Sequence, residues 1–237
     1  MRKKIHNILL SLVFLLCLFC ALNIDVTTKR GVNYELRTIK LPLYLKLLDF
    51  FDRHYNYAYL VKNILKNSKS DEDRVVALLE WTHENINGNP QGLAVIDDHV
   101  WYTIVRGYGV EDQFSDVFST LCNYAGMKAF YSWINSSERS NRMIFSFVRI
   151  KNKWFVFDPY RGVYFVDKEG GLADIDTLKG SDATWKISGA TPFPESFDYA
   201  GYFRNLSMPD DGGLNRANIQ SPLNRLFYAI KKLMPAR

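Results

Sequence analysis

Residues 106–129 read RGYGVEDQFSDVFSTLCNYAGMKA, and residues 153–160 read KWFVFDPY. The first stretch is a tight glycine turn feeding a helix, on which Phe118, Leu121 and Ala125 recur at helical spacing around Cys122. It leaves that helix through Gly126-Met127-Lys128-Ala129. The second stretch reads as a strand, Trp154 to Phe157, and is closed by Asp158-Pro159. Period-two patterning also runs through Ile144 to Ile150, while the chain before residue 126 is patterned for helices. Helices followed by strands that share one core give an α+β domain, with helices packed on an antiparallel sheet.

Working back toward the N-terminus, Ser70-Asp71-Glu72-Asp73 is a capping box, and its acids suit the positive end of a helix dipole. Val75, Leu78, Leu79, Thr82 and Ile86 form the buried face of the helix it opens, which must stop by Gly88-Asn89-Pro90. Residues 41–66 are also patterned for helix, with a break expected near His54 to Tyr57. Residues 25–40 read as a linker with some strand character. Beyond Tyr160, Gly162 to Val166 predicts a further strand, then a loop from Asp167 to Gly171. Residues 176–211 are rich in Gly, Pro, Ser and Asp and carry Trp185, Phe193, Phe197, Tyr199, Tyr202 and Phe203, which either pack over the domain or offer stacking surfaces. Pro222 opens an amphipathic helix that docks on the body or lies on anionic lipid.

The chain has 237 residues, 47% apolar and 15% aromatic, so most of it is globular. Its net charge is +5, yet Arg2, Lys3 and Lys4 at one end and Arg216, Arg225, Lys231, Lys232 and Arg237 at the other exceed that total. The middle is therefore net acidic, and basic ends suit membrane headgroups better than a nucleic-acid groove. No nucleic-acid-reading motif is present. After the three basic residues, an apolar run from Ile8 to Ile24 is interrupted only by Ser11 and Asn23. It reads as a retained anchor, a cleaved secretory signal or a lipoprotein signal ending at Cys20, with a very short N-terminal tail favouring an extracytoplasmic body, periplasmic or at the cell surface. Cys17 and Cys20 lie in that run, and Cys122 alone lies in the body, so no internal body disulfide is possible.

The glycine turn and helix, the Gly126-Met-Lys-Ala129 step, the LLEWTHENI helix upstream and the Trp154-Phe-Val-Phe-Asp158-Pro159 strand together resemble a transglutaminase-like domain of papain-like fold, over about Leu60 to Phe165. The resemblance implies a nucleophilic cysteine fifteen residues before Gly126, where a helix N-terminus would acidify it, and a histidine eleven residues before Trp154. Those positions hold Glu111 and Met143, and the orienting aspartate is Asp158. Methionine has no proton to exchange. Cys122 is too deep in the helix to replace the nucleophile, and Ser115 and Ser119 have no neighbouring histidine.

The implied division is an anchor or signal at 1–25, a linker and helical lead-in at 26–59, the core at 60–165 and a C-terminal extension at 166–237. The implied function is a membrane-anchored pseudoenzyme, binding or scaffolding at the cell envelope, for glycan or peptide. Asp98, His99, Trp101, Tyr108 and Asp112 are candidate cleft residues. The alternative is a hydrolase with relocated acid/base chemistry, pairing His99 with Glu111, Asp112 or Asp158. No cofactor or metal is expected, since Asp97-Asp98-His99 cannot converge on one ion without a distant ligand.

Overall fold

The structure is a computed structural model that describes residues 2–32, 35–97, 99–138, 140–180, 184–190 and 197–208, together with 224 and 227. The terminal amphipathic helix expected from Pro222 therefore lies outside the described residues, apart from Asn224 and Phe227. Asp98 lies outside them too.

The centre is a five-stranded antiparallel meander: β5 (Lys128–Asn135), β6 (Arg142–Ile150), β7 (Lys153–Asp158), β8 (Val163–Asp167) and β9 (Trp185–Gly189), neighbours in sequence being neighbours in the sheet. The β6–β7 connection has only two residues. Lys151 and Asn152 both take positive φ there, which matches the twist of the flanking strands. Every residue from Met143 to Val148 is buried, because both faces of β6 are covered. One face carries Ala129, Val148, Ile150, Phe155 and Phe157 against helices; the other carries Phe130, Met143, Phe145, Trp154, Val156 and Phe165 against the C-terminal segment.

The helices on the first face are α2 (Leu43–Ile64), α3 (Asp71–Asn85), α4 (Val100–Arg106) and α5 (Glu111–Tyr124). The predicted capping box starts α3: Ser70 Oγ accepts from the Asp73 amide at 3.0 Å, and Asp73 Oδ2 accepts from the Ser70 amide at 3.1 Å. At the other end of α5, Asn123 clips helix to sheet, its Nδ2 donating to the Ala129 carbonyl at 2.9 Å. Gly126 makes that turn with φ +85. The break expected in α2 near His54–Tyr57 does not occur. Tyr57 is fully buried, stacked on Tyr124 with centroids 4.8 Å apart and edge-on to Trp101 at 5.0 Å, so packing holds the helix continuous.

On the second face, the segment read as a Gly/Pro-rich loop contains β9 and the short helices α6 (Ile175–Leu178) and α7 (Ala200–Phe203). Tyr199, Tyr202 and Phe203 are buried against Phe145 and Phe165, so these aromatics pack. The span 25–40, read as a linker with some strand character, contributes to two paired antiparallel strands, β1 (Asp25–Val32) and β2 (Glu35–Pro42). Before it, α1 (Arg2–Leu22) has its large apolar side chains exposed. Among the described residues, α1 is the one helix long and apolar enough to cross a membrane, a property signal sequences share.

Candidate functional site

The site lies where α5 begins and β7 ends. Glu111 is the first residue of α5. The helix start is fixed from behind by Gln113, whose Oε1 accepts from the Val110 amide at 3.2 Å and whose Nε2 donates to the Ile96 carbonyl at 2.6 Å. An acid in this first turn meets free backbone donors and the positive dipole end. Met143 is buried on β6, and Asp158, the last residue of β7, is 0% exposed.

One side chain joins them. Asp158-Pro159-Tyr160-Arg161 is a turn in which the Arg161 amide donates to Asp158 Oδ1 at 3.2 Å. This brings the guanidinium back over the strand end. Arg161 Nη1 donates to Glu111 Oε1 at 3.0 Å and to Asp158 Oδ2 at 3.0 Å, and lies 3.9 Å from Met143 Sδ. The guanidinium carbon sits 4.7 Å from the Phe197 ring centre and 5.6 Å from that of Tyr160. Tyr199 Oη donates to Asp158 Oδ2 at 2.8 Å. Burial pushes the Asp158 carboxyl above its ordinary value; Arg161 and the Tyr199 hydroxyl pull against that push without cancelling it. Burial acts on Arg161 in the opposite sense, and the two carboxylates outweigh it, raising its pKa and holding the guanidinium charged.

Glu111, Met143 and Asp158 thus meet around one cation. The other expected cleft residues do not all join them. His99 is the N-cap of α4, its Nδ1 accepting from the Trp101 amide at 3.3 Å. Trp101 packs on Tyr57 in the core. Tyr108, in the two-residue strand β4 (Tyr108–Gly109), lies under Arg106 at 5.7 Å. Asp112 Oδ1 is buried with no hydrogen-bond partner among the described residues. Cys122 is buried, and burial pushes its thiol up and away from the reactive thiolate. No group of three His, Cys, Asp or Glu that could hold a metal ion occurs among the described residues.

Arg161 is missing from the sequence reading, and Phe197 and Tyr199 enter it only as packing or stacking aromatics, not as partners of Arg161 and Asp158. Arg161 left a faint signal, a base three residues after a strand-ending acid. Tyr199 left none, being 41 residues from Asp158.

Chemically, the four groups offer two carboxylates already paired, a thioether without a proton, and a cation that does not give its proton up. They fasten α5, β6, β7 and the C-terminal aromatic segment to one point.

The profile of the transglutaminase-like superfamily matches residues 58–159. No curated protein matches the chain. Among solved structures, a protein described as a candidate cysteine protease from Cytophaga hutchinsonii is similar at 18% identity and TM-score 0.40, over 58% of this chain and 47% of that one. A structure described as a TGase is similar at 13% identity and TM-score 0.37, over 56% and 43%. A candidate protease from Parabacteroides distasonis is similar at 8% identity and TM-score 0.38, over 70% and 38%. The chain spans less than half the length of each of these three. Over residues 58–159, the similarity of this chain is to the transglutaminase-like superfamily.

Proposed function

We propose that this domain is a pseudoenzyme, retained as a binding or scaffolding module for an envelope glycan or peptide and tethered to the membrane by α1 with its body on the extracytoplasmic side. In this reading Glu111, Met143 and Asp158 occupy the superfamily's nucleophile, base and orienting-acid positions. The observation that carries it is the Arg161 guanidinium, which donates to Glu111 and Asp158 at 3.0 Å each and lies 3.9 Å from Met143 Sδ. A substrate carbonyl would have to occupy the space between nucleophile and base. Here that space holds a charged side chain paired to both acids. Phe197 over the same guanidinium supports a permanent plug, because it adds an aromatic wall on the side of the C-terminal segment.

The test is turnover. The purified full chain in detergent is assayed for amine incorporation into a glutamine peptide and for peptide hydrolysis, beside Glu111→Gln and Asp158→Asn. All three proteins should sit at the buffer rate. Turnover by the parent chain that either substitution abolishes would overturn the reading.

A further inference from the structure

α2 has two faces of opposite character. Taking 100° per residue, Tyr44, Leu48, Phe51, Tyr55 and Tyr59 fall within a stripe about 80° wide, and the buried Arg53, Tyr57 and Val61 lie on the opposite side. The buried side packs on the core, Tyr57 and Val61 directly. The stripe faces outward: Leu48 is 61% exposed, Tyr55 69% and Tyr59 68%, with Tyr44 and Phe51 also exposed. Five large apolar or aromatic side chains in line, over about 23 Å of helix, form a continuous surface rather than scattered exposure.

What covers this face is indicated by where α2 begins. The β1–β2 hairpin folds the chain back on itself, with Asp25 opposite Pro42, so the Leu43 amide donates to the Ile24 carbonyl at 2.9 Å. Lys46 Nζ adds a bond to the Thr27 carbonyl at 2.6 Å. The first turn of α2 is thereby fixed to the residues that follow α1, at the level where the anchor would leave the bilayer. The stripe is continuous with that exit. Its tyrosines have an apolar body and a polar tip, as interfacial side chains do. Lys62 continues the line at the far end, while Asp52 flanks it. Asp49, Asp52 and Arg53 prevent the helix from crossing a membrane, which leaves lying on one.

We infer that α2 is an interfacial helix, its Tyr44–Leu48–Phe51–Tyr55–Tyr59 stripe seated in the headgroup region of the membrane that α1 spans, so that the body is held by two elements in a fixed orientation. The inference rests on the anchored reading above. A single anchor leaves a body free to swing; a second contact about 23 Å long removes that freedom and aims the sheet side of the domain away from the bilayer.

The experiment is spin-label depth measurement on the full chain in liposomes of neutral and anionic phospholipid. Cys17→Ala and Cys20→Ala remove the exposed thiols, and buried Cys122 does not take the label. Single cysteines are then placed at each stripe position, at Glu84 as an exposed control on α3, and at Val13 in α1. Preference for oxygen over a water-soluble nickel chelate should appear at Val13 and at all five stripe positions, and be absent at Glu84. Val13 in the bilayer with the stripe in water, or with only Tyr44 and Leu48 protected, overturns the inference and leaves the anchor standing. Val13 in water overturns both. Spin–spin broadening along the stripe that unlabelled chain dilutes away would assign the face to a second copy, and so overturns the inference as well.

Discussion

Replacing Arg161 with methionine removes the guanidinium and keeps an unbranched stem against Phe197. What remains is the Asp158 carboxyl, 0% exposed, with the Tyr199 hydroxyl and one backbone amide as donors and no cation among the described residues. Removing one partner of a buried ion pair costs about 3–5 kcal/mol, because the surviving charge stays desolvated. Arg161 and Glu111 are 26% and 29% exposed at the side chain, so solvent screens part of that loss and about 3 kcal/mol is expected at pH 7. For a body of this size, this corresponds to a fall in Tm of about 6–12 °C. The penalty has a pH signature. Asp158 already titrates above its ordinary value of 3.8, and losing Arg161 raises it further. A carboxyl whose folded pKa exceeds its unfolded one binds its proton more tightly when folded. Stability therefore falls as pH rises from the ordinary value to the raised one, and recovers on acidification through that window. Urea unfolding of the detergent-solubilised chain, followed by tryptophan fluorescence from pH 4 to pH 7, should show the Arg161→Met deficit shrinking toward the acid end. Arg161→Met with Asp158→Asn removes the orphaned charge and should recover more than about 1 kcal/mol beyond additivity. A pH-independent loss below about 1 kcal/mol would make this an ordinary surface pair and refute the reasoning.

Two further predictions concern the scaffold around the site. Gly189 has φ +123, and a Cβ there would meet the Gly162 carbonyl oxygen at 2.1 Å, so Gly189→Ala should cost more than about 3 kcal/mol in urea unfolding and expose the β8–β9 edge to proteolysis. Asp174 caps α6 and takes Lys153 Nζ at 2.6 Å; burial pushes its carboxyl up, but the bonds from Lys153 and Thr177 outweigh that and hold it below 3.8. A depressed carboxyl stabilises above its unfolded value and loses this as pH falls through its folded one, so Asp174→Ala should cost about 1 kcal/mol at pH 7, narrowing below pH 4 on the same titration.

Local chemistry made much of this fold legible from sequence. The α3 capping box depends on side chains three residues apart, and the β6–β7 hairpin on two short apolar-rich strands with two turn residues between them. Both are settled within a few residues of chain. What was not legible depended on distant partners. His54–Tyr57 looks like a weak point in α2 until Tyr124, 70 residues from His54, accepts or donates at 3.0 Å and stacks on Tyr57. The span after Asp176 has the composition of a loop, yet burial of Tyr199, Tyr202 and Phe203 against the sheet fixes it in place. Arg161 is the largest omission. Its role follows from Glu111 lying 50 residues away in sequence and 3.0 Å away in space, which no spacing rule expresses.

The proposed pseudoenzyme site also explains why these substitutions tolerate one another. An active thiol at a helix N-terminus works as an anion beside a cationic base, and the dipole stabilises the negative member. Glu111 at the same helix end is again an anion, and Arg161, reaching in from the turn after Asp158, is again a cation. In the proposed reading the charge pattern keeps its sign while neither group is reactive: the carboxylate is a weak nucleophile and the guanidinium neither accepts nor releases a proton near neutrality. A histidine at position 143 would crowd a second cation against Arg161, whereas a polarisable thioether at 3.9 Å does not. Reversal would therefore need Glu111, Met143 and Arg161 to change together, because any one of them restored alone leaves a buried charge or an occupied cleft.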